Sequence, residues 1–317
     1  MRVNLVKLMK QIAAVLCTTM WFIAACGPIP DKDKPTPRPQ RGTPSGSKAT
    51  ATLNSAEFAQ FKQEFDTRFG AYDSLPPETL YQIIDAVPSQ STTWGCGLVQ
   101  SNMARAAASL SLGLAIEHQQ VANCNTVQDY PLMADEPLTP ETRQELEEAL
   151  KVKIAVQNVN GVDRFRVGAD PRMLPDYLNS KLPPTVRASI VEKPSLTKNE
   201  LVSLVEESLA TSMPLITLTL VSAAALRVHY YSVVGVDSTA NKLLVLHTEG
   251  PGLQRLKEFD ITDFINSMNM SSFRSRIKQF IAYAPLIAVL KPDLKLPDLS
   301  RLNSLANFNL IKFDKTP

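Results

Sequence analysis

The chain has 317 residues, with 33 Lys and Arg against 31 Asp and Glu and a formal net charge of +2. Removal of Arg2, Lys7 and Lys10 with an N-terminal leader leaves a net of −1, which excludes the clustered positive surface that phosphate backbones require, so no nucleic-acid partner is expected. No GxGxxG, Walker, CxxC or HExxH pattern occurs, and three histidines with four cysteines give little for a structural zinc site; no cofactor and no metal is expected.

In chain order, residues 1–10 carry three cations and no acid, and an apolar stretch, Ile12–Ala25, follows. It is short for a membrane span and reads as a signal peptide over residues 1–25. Its end, Ile23-Ala24-Ala25-Cys26-Gly27, resembles the lipobox of bacterial lipoproteins. That resemblance implies lipid attachment at Cys26 and a membrane-anchored protein of the bacterial envelope. With Gly27 rather than Asp after the cysteine, the outer membrane is implied in a Gram-negative cell. The alternative is ordinary cleavage with Cys26 as a thiol. Residues 26–52 hold Pro28, Pro30, Pro35, Pro37, Pro39 and Pro44 among polar residues, the composition of a stiffened tether.

About 240 residues remain for folded structure, enough for one large domain or two small lobes, placed at 53–290 with a tail at 291–317. Ala56–Phe69 sets Phe58, Phe61, Phe65 and Phe69 at helical spacing, a core-facing stripe that Asn54 or Ser55 can cap. Ser89–Gln100 is turn-rich and runs into an Ala- and Leu-rich helix, Leu98–Leu112, with Cys96 at its start. A thiol at a helix N-terminus meets unpaired amides and the positive end of the dipole, which favour thiolate and a nucleophilic sulfur. Gln90, six residues earlier, could donate its amide N–H to an oxyanion beside that sulfur.

Further along, Thr139–Val152, Met173–Leu182 and Lys198–Thr211 read as helices, the last capped by Thr197. Met213–Leu220 reads as a buried strand. Leu226–Asp237 is apolar and β-branched and reads as a strand with His229 near its start. A turn at Asp237–Asn241 leads to a second strand, Lys242–His247. Phe259–Met268 reads as a closing helix, Phe280–Leu290 as a last strand, and Arg301–Pro317 as a loosely attached tail. Helices first and strands after predict an α+β fold with a helical lobe and an antiparallel sheet lobe.

A cysteine capping a helix, Gln-x5-Cys spacing, and a histidine opening a hairpin about 130 residues later resemble the papain-like cysteine peptidases. The pattern Gln…Cys-Gly…His-Tyr-x-Val-Val-Gly-Val-Asp is closest to the bacterial double-glycine (bacteriocin-leader) peptidase branch, and the resemblance runs from about Pro88 to Phe264. It implies a two-lobe papain-like fold, Cys96 as nucleophile, His229 as its base, Gln90 and the Cys96 amide as oxyanion donors, and a peptide or protein substrate. The family places an Asn or Asp at the end of the next strand. Here Leu246-His247-Thr248-Glu249-Gly250 puts His247 or Thr248 there, each an acceptor without fixed negative charge. Two other readings stand beside the thiol hydrolase. One is a non-catalytic papain-like binding module; the other is a structural lipoprotein with a Cys96–Cys124 disulfide, which an oxidising envelope permits.

Overall fold

A computed structural model describes residues 53–90, 96–116, 131–150, 156–159, 161–222, 227–290 and 300–315. Residues 1–52, where a leader, a lipid-bearing Cys26 and a tether are expected, and Trp94, His118 and Cys124 lie outside the described residues. Among those described, no helix is long and apolar enough to cross a membrane.

Helix α1 (Ala56–Phe69) begins where the Ser55 hydroxyl accepts the Phe58 amide at 3.1 Å. Its four phenylalanines are buried, and Phe58 and Phe61 each lie 5.2 Å from the Tyr81 ring of α2 (Pro77–Ala86). Helix α3 (Cys96–Ser111) is buried along its first three turns and carries small side chains, Ala104, Ala106, Ala107 and Ala108, at its contacts. Small residues let this helix approach the sheet closely.

Among the described residues ten strands form two antiparallel sheets. The smaller has the order β2 (Leu132–Pro137), β4 (Val162–Ala169), β3 (Val156–Val159). The larger runs β5 (Val186–Lys193), β10 (Phe308–Lys315), β6 (Leu215–Ser222), β7 (Arg227–Asp237), β8 (Lys242–Leu246), β9 (Leu256–Asp260). A two-residue strand, β1 (Asp73–Ser74), takes over the edge of β7 at Gly235 and Val236, past the point where β6 pairing stops at Val233. The remaining helices are α4 (Pro140–Leu150), α5 (Leu174–Asn179), α6 (Lys198–Ala210), α7 (Ile261–Met268), α8 (Ser271–Leu290) and α9 (Ser300–Asn303). The protein is therefore α+β with an antiparallel main sheet.

Strand alternation splits the core across the main sheet. Ile216, Leu218, Tyr230, Val234, Leu244 and Leu246 join the cluster that includes α1, α2 and α3. Leu215, Val233, Leu243, Val245 and Leu310 face Leu201 and Val205 of α6 and Ile261, Phe264 and Met268 of α7. Both faces of the central strands are covered, which explains why β7 and β8 read as nearly continuous apolar runs.

Three sequence expectations are corrected. Phe280–Leu290 is the second half of helix α8, not a strand: Phe273, Ile277 and Phe280 recur at helical spacing and are all buried. The stretch expected to be a loose tail contains β10, whose Phe308, Asn309, Leu310, Ile311 and Phe313 are buried in the middle of the main sheet. Helices do not all precede strands, since β2, β3 and β4 fall between α3 and α5. Elsewhere the agreement is close. The helix expected at Lys198–Thr211 is α6, and Thr197 and Glu200 form a reciprocal capping box at its start.

Candidate active site

Gln100, one turn beyond Cys96 on α3, holds that helix to the sheet. It is fully buried, and its Nε2 donates to the Tyr230 carbonyl of β7 at 3.2 Å and the Leu246 carbonyl of β8 at 3.1 Å. Its Oε1 accepts the Ser232 hydroxyl. A single carboxamide thus spans two adjacent strands beside the residues that precede His247 and follow His229. A side chain with fewer donors would leave these buried groups unsatisfied. Sequence reading missed Gln100; the signal was an amide in an otherwise Ala- and Leu-rich helix, at Cys + 4 and therefore on the same face.

Cys96 is 1% exposed at the first position of α3. It lies close enough to β7 that a thiolate there adds to burial in raising the phenols of Tyr230 and Tyr231. Tyr230 donates its hydroxyl to the Ala169 carbonyl at 2.8 Å, tying β7 to the end of β4.

His229 occupies the partly buried start of β7 and shares its side of the strand with Tyr231, the two rings 4.7 Å apart. The His247 ring stacks on it at 4.9 Å with 15° between planes. Burial first, and then His247 and the cations Arg227 and Lys257, push the His229 imidazole down to about 3. His247 is lowered to about 4, by burial and then by Lys257. Both rings are neutral at physiological pH.

The end of β8 supplies the remaining groups. Thr248 is fully buried, and its Oγ1 lies 3.3 Å from His229 Nε2 and donates to Gln90 Oε1 at 2.7 Å. Since the hydroxyl proton goes to Gln90, its oxygen accepts from His229, which places the proton on Nε2 and a lone pair on Nδ1. The Gln90 arm is fixed by its backbone as well: its amide donates to the Thr248 carbonyl at 2.7 Å, and Ser89 Oγ donates to the Gly250 carbonyl at 2.6 Å. The His247 Nδ1 accepts the Glu249 amide at 3.0 Å, so this ring is held as a stacking partner rather than as the acceptor for His229. Gln90, His229, His247 and Thr248 are therefore brought together, and Cys96 begins the helix that Gln100 clasps to β7 and β8.

A cavity of about 380 Å³ lies elsewhere on α3, between Asn102, Arg105 and Ser109 and the loop 181–184; none of Gln90, Cys96, His229, His247 and Thr248 lines it. Among the described residues no cluster of His, Cys, Asp and Glu could hold a metal ion. The chain matches no protein-family model, and no curated protein matches its sequence.

Proposed function

We propose that this chain is an envelope-anchored, papain-like thiol hydrolase that cleaves a peptide or amide bond with Cys96 and His229. The observation that carries the proposal is the hydrogen-bonded series His229 Nε2, Thr248 Oγ1, Gln90 Oε1 beside the helix that starts with Cys96. In this reading His229 Nδ1 takes the thiol proton as Sγ attacks the substrate carbonyl carbon. The imidazolium then protonates the departing amine, leaving a thioester that water hydrolyses to the acid and the restored thiol. With its oxygen committed to Thr248, Gln90 offers its amide nitrogen to the developing oxyanion, together with the backbone N–H of Cys96. Thr248 orients the imidazole but carries no negative charge, so the imidazolium is stabilised less than beside a carboxylate.

A second reading, a non-catalytic module of the same fold, is favoured by the burial of Cys96 and by a neutral His229 that stacks on His247 and packs against the tilted ring of Tyr231. Incubation of the full chain with an epoxide inhibitor of thiol peptidases, with the adduct mapped by mass spectrometry, separates the two. The hydrolase gives one adduct on Cys96 and loses it by about 100-fold or more in rate on His229→Ala, the usual span for a general base. No adduct on the native chain, with rapid alkylation of Cys96 once unfolded, establishes the binding module. No alkylation of the unfolded chain until a reductant is added establishes a Cys96 disulfide. Anchoring through Cys26 belongs to the same proposal, and a Cys26→Ala chain that still fractionates with membranes overturns that part.

A further inference from the structure

We propose that Arg255 is a positioning residue for His229, a buried cation that locks together the two chain segments whose meeting creates the Thr248–Gln90 bond. The proposal deepens the thiol-hydrolase reading and rests on it for its catalytic meaning, though not for its geometry. Arg255 closes the short 3₁₀ turn Gly252–Arg255 and is 1% exposed. Its Nε donates to the His247 carbonyl at 3.1 Å, while its own carbonyl accepts the His247 amide at 2.7 Å. Both backbone polar groups of His247, the residue before Thr248, are thus held by one residue. The other end of the guanidinium reaches the Gln90 arm: Nη1 donates to the Val87 carbonyl at 2.5 Å and, more loosely, to the Ile84 carbonyl at 3.4 Å. Val87 lies three residues before Gln90, just past the end of α2.

A guanidinium is the side chain suited to this task. Its planar fork presents donors in two fixed directions, so it sets the spacing between two backbone segments as well as their attraction. Among the described residues the partners are all backbone carbonyls, with no carboxylate to compensate the charge, and Nη2 is buried without an acceptor. Burial lowers the group to about 10, so it stays charged at neutral pH in a costly environment. A packed apolar side chain would serve stability at least as well, and it would not fix the register of the two arms.

The experiment is ¹⁵N NMR of the histidine side chains in the full chain, whose three histidines are few enough to assign, paired with the pH dependence of Cys96 alkylation. In the wild type His229 is held as the Nε2–H tautomer. In Arg255→Gln the His229 ring is expected to become a tautomer mixture, its titration to move up by about a unit, and Cys96 alkylation to slow about 10-fold. Arg255→Lys, which keeps the charge but reaches one carbonyl at a time, is expected to fall between, and it carries the test alone if the Gln variant does not accumulate folded. Wild-type ¹⁵N shifts in a folded Arg255 variant overturn the proposal, whatever its stability. Equal alkylation profiles for wild type and His229→Ala overturn the dyad reading instead, while the tautomer still reports on Arg255.

Discussion

At the scale of single residues, two stacked imidazoles with lowered protonation tie stability to pH. An unfolded histidine titrates near 6.5, whereas His247 and His229 in the folded chain are lowered to about 4 and about 3. Below about pH 6.5 the unfolded chain binds protons that the folded chain refuses, so stability falls as pH drops toward 4 and then 3. Above 6.5 these rings contribute no slope. The decline can reach about 1.4 kcal/mol per pH unit for each ring. Urea midpoints at pH 7.5 and 4.5 measure it, and a His229→Gln, His247→Gln chain should lose most of the difference; an unchanged difference assigns the acid sensitivity to other groups. The resemblance to papain-like peptidases, which places an orienting residue at the end of the strand after the histidine, was enough to nominate Thr248 and His247. It could not divide their roles, since donation from Glu249 to His247 Nδ1 depends on turn geometry. Arg255 was illegible for a similar reason: an arginine after a Gly-Leu-Gln turn looks like any surface arginine until its carbonyl partners are seen.

Among the elements, β1 and β7 meet closely at Gly235. A Cβ built on Gly235 would lie 2.7 Å from Ser74 Cβ, 3.2 Å from the Asp73 carbonyl oxygen and 3.2 Å from Leu244 Cβ. The crossing of β1 over this point is fixed by the Leu75 amide, which donates to the Val234 carbonyl at 2.9 Å. Gly235→Ala is expected to cost about 1–3 kcal/mol, the usual range for overpacking, because backbone on one side and strand β8 on the other cannot both give way. Thermal unfolding of the variant checks this, and a midpoint equal to wild type means that β1 lifts off at no cost. Elements with a clear local signal were readable in advance: the phenylalanine stripe of α1, the Thr197 cap of α6 and the β7–β8 hairpin with its turn. Those set by distant neighbours were not. Helix α8 mixes a Pro285 and a run of apolar residues that local pattern alone assigns to a strand. Strand β10 follows a polar, lysine-bearing stretch and is made a strand by β5 and β6 on either side.

For the molecule as a whole, the decisive feature is that insertion. Every residue of β10 pairs with β5, from Phe308 with Lys193 to Lys315 with Val186, and Leu310 and Ile311 also pair with Thr217 and Ile216 of β6. Removal of residues 308–317 takes out a central strand and leaves β5, and Ile216 and Thr217 of β6, without the partner they pair with. The truncated chain is expected to lose cooperative unfolding altogether, read as the absence of a urea transition and of protected amides in β6 and β7 by hydrogen exchange. A truncated chain with wild-type protection in β7 would show that β6–β9 stand alone. The same insertion sets an order in time. During synthesis from the N-terminus, β5 and β6 are complete long before β10 exists, and each waits with an open edge toward the gap. The β7–β8 hairpin can zip early, because its strands are neighbours in sequence, but the sheet behind it stays parted until residues 308–315 arrive. A strand late in the chain thus closes the middle of the sheet, and until it arrives β5 and β6 are unmatched edges in need of shielding.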